Sequence, residues 1–168
     1  MPRRSSISLQ PGYAMHVKRL TGHKKLVYVI LTDRKYRYPK GRSRVVYVGT
    51  TKNGFDRVAQ SAARWADDIF GLRGVMEYEV RIVTCSPRQR VRTWRLLERA
   101  LLLQFRATYG EVPAANTHGK RIREKREFHV FSHARVRRVL EDLAPRQTYV
   151  NASARRTEHA SLSKVLRV

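Results

Sequence analysis

Residues 26–31 form an unbroken apolar run, Leu-Val-Tyr-Val-Ile-Leu. A run this short, rich in β-branched and aromatic residues, predicts a strand buried on both faces. Val45-Val46-Tyr47-Val48, closed by Gly49, predicts a second strand of the same kind. Between them, residues 33–44 carry Pro39, Gly41 and six Lys or Arg side chains, which predicts a basic hairpin loop. Residues 77–84 alternate polar and apolar, so a third strand is expected with one buried face.

Helical spacing fills the gaps. Val58, Ala62, Trp65 and Ile69 recur at three- and four-residue intervals, predicting a helix over 55–70 that Asn53 or Asp56 could cap. On the same wheel Arg57, Ser61 and Arg64 share another face. Ser86-Pro87 reads as a helix start, and Gly110 as the stop of a helix reaching about residue 108. After residue 117 the composition turns basic. Residues 120–126 are a charge run, 128–131 could be a short edge strand, and Ser132 can cap a helix to about residue 143. That helix would turn Val136, Val139, Leu140 and Leu143 inward and Arg135, Arg137 and Arg138 outward. The expected architecture is α+β, a small three-stranded antiparallel sheet flanked by helices. It divides into a basic arm over 1–24, with a short element near residues 14–20, a module over 25–117, and a basic extension over 118–168.

Charge changes this picture most. The chain has 36 Lys and Arg against 13 Asp and Glu, a net +23 with a pI near 11.3. Such an excess disfavours a compact free protein and favours contact with a polyanion. Arg outnumbers Lys 27 to 9, and guanidinium groups fork onto phosphate and stack on bases. Nucleic acid is therefore the expected partner, DNA ahead of RNA. Candidate backbone contacts are Arg34, Lys35, Arg37, Lys40, Arg42, Arg44, Lys52, Arg64, Lys120, Arg121, Arg123, Arg135, Arg137 and Arg138. No apolar run is long enough to span a bilayer, so no membrane role is expected. Cys85 is the only cysteine, which excludes an internal disulfide framework and suits the cytoplasm. The basic, serine-containing N-terminus leaves organelle import open.

Glu98 is the residue the pattern explains least. It falls inside the stripe made by Val91, Trp94, Leu101, Leu102 and Phe105. A bare carboxylate among apolar groups costs several kcal/mol unless it is paired or binds a cation. Three accounts stay open at this point: a salt bridge to Arg95 or Arg99, exposure on a helix to which Leu96, Ala100 and Leu103 give a second apolar side, or a metal ligand. Tyr28 and Tyr47 on neighbouring strands are ordinary core residues singly; together they could place two phenols on one side of the sheet.

Taken as a set, these pieces resemble the GIY-YIG nuclease family. Val27-Tyr28 within 26–30 is similar to the first half of its signature, and Tyr47-Val48-Gly49 to the second. Arg57 follows at the family's spacing, Leu97-Glu98 resembles the Glu-bearing helix, and Pro113-Ala-Ala-Asn116 resembles the closing Pro-x-x-Asn. The resemblance implies metal-dependent hydrolysis of phosphodiester bonds. Glu98 would hold one Mg²⁺ or Mn²⁺, Arg57 would neutralise charge on the phosphate, and Tyr28 or Tyr47 would accept a proton from water. Asn116 would position the Glu-bearing end of the site or a bound water. The chain departs from the family where Leu26 replaces a glycine and where Ser61 stands in place of a His or Tyr. A second expectation follows: a catalytically silent nucleic-acid-binding form, such as a component of a ribosome or another ribonucleoprotein. A homodimer reading a symmetric site is also open.

Overall fold

The computed structural model describes residues 24–117, 119 and 121–143. The expected N-terminal arm, Lys120 and the tail beyond residue 143 lie outside the described residues. The architecture is α+β: a three-stranded antiparallel sheet with helices on both faces. The strands are β1 (Leu26–Tyr38), β2 (Gly41–Thr51) and β3 (Tyr78–Val83), in the order β2-β1-β3. The helices are α1 (Gly54–Arg64), α2 (Ala66–Phe70), α3 (Thr93–Tyr109), α4 (Glu127–Val130) and α5 (His133–Leu143).

β1 is central, which explains its unbroken apolar run. Val27, Val29 and Leu31 pack with Leu97, Ala100, Leu101 and Phe105 of α3 and with Val136, Leu140 and Leu143 of α5. Leu26, Tyr28 and Ile30 face the other way, onto Val58 of α1, Ile69 of α2 and Val75. Each such aliphatic side chain contributes about 1.5–3 kcal/mol when fully buried. α5 thus belongs to the core, and the hydrophobic cluster crosses the expected boundary at residue 117. Ser132 caps this helix as expected, its Oγ accepting from the Arg135 N–H at 3.2 Å.

Four elements differ from expectation. The basic loop over 33–44 is instead the outer half of the β1–β2 hairpin, turning at Pro39-Lys40. Its charge masks a strand alternation in which Tyr36 and Tyr38 pack inward. Tyr38 meets Phe105 edge-on at 5.0 Å and donates a hydrogen bond to the Val45 carbonyl at 2.7 Å. The helix over 55–70 is broken at Trp65, where ψ is −3°, although the Trp65 N–H still reaches the Ser61 carbonyl. α3 begins at Thr93, not at Ser86. Residues 86–92 are mostly polar, and Val91 alone gives no apolar stripe to dock; they fold instead into a turn closed by the Val91 N–H on the Arg88 carbonyl, 3.3 Å. At the other end Gly110 adopts φ +92°, the left-handed conformation that stops a helix cleanly. Residues 128–131 are not an edge strand; most of them belong to α4, a single helical turn anchored by buried Glu127.

Candidate active site

β2 is an edge strand, and four consecutive residues of it organise the site. Register places Gly49 opposite Tyr28 and Tyr47 opposite Ile30, so the two tyrosines are diagonal neighbours. Their ring centroids lie 5.7 Å apart, on the α1 side of the sheet. Gly49 makes this arrangement sterically feasible. A Cβ there would sit 2.6 Å from Tyr47 Cε1 and 2.9 Å from the Tyr28 hydroxyl. Trp65 closes the other side of Tyr47 at 4.8 Å between centroids. Burial, then the neighbouring Tyr28 phenol, then Glu98 hold the Tyr47 phenol well above its ordinary pKa.

Glu98 approaches from α3, on the opposite face. Its Oε2 accepts a hydrogen bond from the Thr50 hydroxyl at 3.2 Å. Strand alternation explains why Thr50, and not Gly49, meets this helix. Burial raises the Glu98 pKa above the ordinary carboxylate value; the Thr50 hydroxyl, Arg95 and Arg99 oppose that rise. Neither arginine forms an ion pair with it among the described residues, and Arg99 is committed to Glu127. The salt-bridge account of Glu98 is therefore not what the structure holds.

Asn116 has a more specific place than expected. It is buried, and its amide pins β2: Oδ1 accepts from the Val48 N–H at 2.9 Å while Nδ2 donates to the Val48 carbonyl at 2.8 Å. The Ala115 N–H adds a bond to the Val46 carbonyl at 2.9 Å. Residues 113–116 so cover the open edge of the sheet, whose backbone groups would otherwise be unpaired. Asn116 is a positioning residue: both ends of its amide are taken up by Val48.

Arg57 is the outlying member. It is exposed on the first turns of α1 and donates to the Gln60 side chain at 3.2 Å, out of hydrogen-bond contact with the tyrosines and Glu98. Ser61, one turn on, is half-buried. Among the candidate phosphate contacts Arg44 is corrected. It is 6% exposed, its Nε donates to the Thr32 carbonyl at 2.6 Å and its Nη2 pairs with Glu79 at 3.1 Å, so it braces the sheet and cannot reach a ligand. Arg34, Lys35, Arg37, Lys40, Arg42, Lys52, Arg64, Arg121, Arg123, Arg135, Arg137 and Arg138 are exposed. They are spread over several faces, and Arg137 pairs with Glu141 at 3.7 Å.

The implied divalent cation can be tested against these donors. Glu98 is a desolvated carboxylate whose one hydrogen-bond partner is neutral, and the second oxygen donor beside it is the Thr50 hydroxyl. Hard oxygen donors, few from the protein, suit Mg²⁺ or Mn²⁺ with the remaining ligands from water and phosphate. No group of three or more His, Cys, Asp or Glu side chains converges among the described residues, so the protein supplies no full cage there. The role of Thr50 and the contact of Trp65 with Tyr47 are not among the sequence expectations. Thr50 directly follows the Tyr47-Val48-Gly49 motif, and its strand parity with Val48 was the available signal.

Compared with models of known protein families, with characterised proteins and with solved structures, the chain gives no match. No helix among the described residues is long and apolar enough to cross a membrane.

Proposed function

We propose that this protein is a metal-dependent endonuclease of the GIY-YIG type that hydrolyses phosphodiester bonds of DNA. One observation carries the reading. A half-buried carboxylate, Glu98, lacks an ionic partner among the described residues and lies across edge strand β2 from the two paired tyrosines. A purely structural glutamate in so basic a chain would be expected to pair with arginine, as Glu127 does.

Each residue has a role that follows from its surroundings. Glu98 and the Thr50 hydroxyl would hold the cation, which would supply positive charge to the phosphate and the leaving oxygen. Arg57, exposed and on a long side chain, turns from Gln60 to the substrate phosphate and offsets its developing charge. Tyr28, buried, orients Tyr47, which is the more exposed of the two and accepts the proton of the attacking water in its ionised form. A raised pKa makes that form scarce but strongly basic. The rate should therefore climb about tenfold per pH unit through the neutral range. Asn116 fixes the strand that carries Tyr47 and Thr50.

A second reading is a silent nucleic-acid-binding form of the same fold, in a ribonucleoprotein. The contact of Arg57 with Gln60, away from the tyrosines, and the serine at position 61 favour it. Nicking of supercoiled plasmid separates the two. The nuclease reading expects relaxed product with Mg²⁺ or Mn²⁺, abolished by EDTA and by Glu98→Ala. Tight binding to DNA and structured RNA with no cleavage would establish the silent form instead.

A further inference from the structure

The β1–β2 hairpin continues past the core and ends in a surface unlike the rest of the sheet. Tyr36 and Tyr38 pack on each other, 5.1 Å between centroids, and Tyr38 seats on Phe105. Strand alternation sends Lys35 and Arg37 to the opposite face, where they are exposed. Arg42 on β2 is exposed too, and register places it directly opposite Arg37. Like charges directly opposite each other on antiparallel strands repel and weaken the pairing. Neither guanidinium group has a hydrogen bond or ion pair to another described residue. The acid closest in sequence, Asp33, is taken up by Arg34 at 3.9 Å and by the Met76 N–H at 3.4 Å.

The hairpin end is nonetheless held firmly. The Lys40 N–H donates to the Tyr109 carbonyl at 3.0 Å, and the Ala114 N–H donates to the Tyr38 hydroxyl at 3.2 Å. Two arginines thus stand opposite each other on a held backbone, both exposed, with no anion among the described residues paired to either. A phosphate placed between them would remove the repulsion and receive charge-assisted hydrogen bonds from both forks.

The geometry points to a phosphate clamp in which Arg37 and Arg42 bracket one backbone phosphate of duplex DNA. Rigid aromatic backing makes the clamp preorganised, so little order is lost on binding. β2 links it to the catalytic edge. Tyr47 lies five positions after Arg42, at most roughly 16 Å of strand, which matches about five base steps along one DNA strand. The clamp therefore holds the duplex on the same strand that carries Tyr47 and Thr50, and sets how far from the cut the DNA is gripped. It rests on DNA as the substrate of the site above.

Binding measured without metal tests the clamp independently of cleavage. Fluorescence anisotropy of a short DNA duplex in EDTA, across a range of salt, compares the wild type with Arg37→Ala, Arg42→Ala and the double variant. Arg88→Ala/Arg90→Ala removes the same charge from the exposed turn before α3 and serves as control. The double variant should bind several-fold more weakly near physiological salt. Its slope of log affinity against log salt should fall by about 0.9, the share of one phosphate. Each single variant should lose most of that effect, because the phosphate is shared, and the free double variant should melt no lower than the wild type. Unchanged affinity, a loss no larger than in the control, or a slope change of about two phosphates would overturn the clamp. A loss seen with an RNA duplex and not with DNA would overturn its assignment to DNA. A protein that shows the clamp but never nicks plasmid would refute the nuclease reading and leave the clamp standing.

Discussion

Glu98 lies on α3 and Glu127 packs against it, and the residue beside the first, Arg99, is the partner of the second. Glu127 is fully buried yet complete: the Arg99 guanidinium pairs with it and the Lys125 N–H donates to it at 2.7 Å. Burial alone would push its carboxyl up, but the Lys125 N–H and Arg99 more than offset this and hold it below the ordinary value. Glu98 is less buried, has one neutral partner, and is pushed the other way. Two carboxylates in the same basic chain, both within the field of Arg99, are thus treated oppositely. The charged form of Glu127 is stabilised by the fold itself, whereas that of Glu98 has only the Thr50 hydroxyl and the field of Arg95 and Arg99 against its burial.

Breaking the complete side of this comparison should have the largest effect. Glu127→Ala leaves Arg99 without its anion and the Lys125 N–H without an acceptor. It should cost about 3 kcal/mol, the low end for a broken buried pair because Arg99 is partly exposed; denaturant unfolding measures it. Asn116→Ala is next, at roughly 2 kcal/mol in the same assay, since the buried Val48 N–H and carbonyl both lose their partner. Its loss should lower cleavage as well, through displaced Tyr47 and Thr50. Gly49→Ala forces a methyl against the tyrosine rings and should cost about 1–2 kcal/mol by overpacking, while shifting the near-ultraviolet circular dichroism of the pair.

The pH dependence of stability sharpens the contrast at smaller scale. Glu127 has a lowered folded pKa, so its stabilisation is present above the unfolded value near 4.5 and lost as pH falls through the folded value. Glu98 has a raised one, so the fold is favoured by its protonated form below 4.5 and loses that stability as pH rises through the folded value. Stability differences from Glu127→Gln and Glu98→Gln, followed by thermal melting from acid to neutral pH, should run in opposite directions. Glu98→Gln should be at least as stable as the wild type at neutral pH. A Glu98→Gln protein that unfolds more readily there would mark Glu98 as a structural residue.

Much of this frame was legible in the sequence because short-range pattern controls it. The apolar run at 26–31 reads as a buried strand, and Glu98 stands out against its own helix. The tyrosine pair followed from two strands of matching character. What escaped depends on partners far apart in the chain. Arg44 carries the same charge as its exposed neighbours, yet a strand irregularity brings it to Thr32 and Glu79, 12 and 35 residues away. Glu127 finds Arg99 at a separation of 28 residues, and no periodicity signals that. The hairpin arm was misread for a different reason: lysine and arginine at alternate positions outweighed the two tyrosines that make it a strand.

The central claim is that Glu98 is a cation-seeking carboxylate and Glu127 is not. Titration of Mn²⁺ followed by water-proton relaxation, on the wild type, Glu98→Gln and Glu127→Gln at neutral pH, tests it without reliance on turnover. The account predicts enhanced relaxation in the wild type and in folded Glu127→Gln, and its loss in Glu98→Gln. Equal enhancement in the wild type and Glu98→Gln would contradict it.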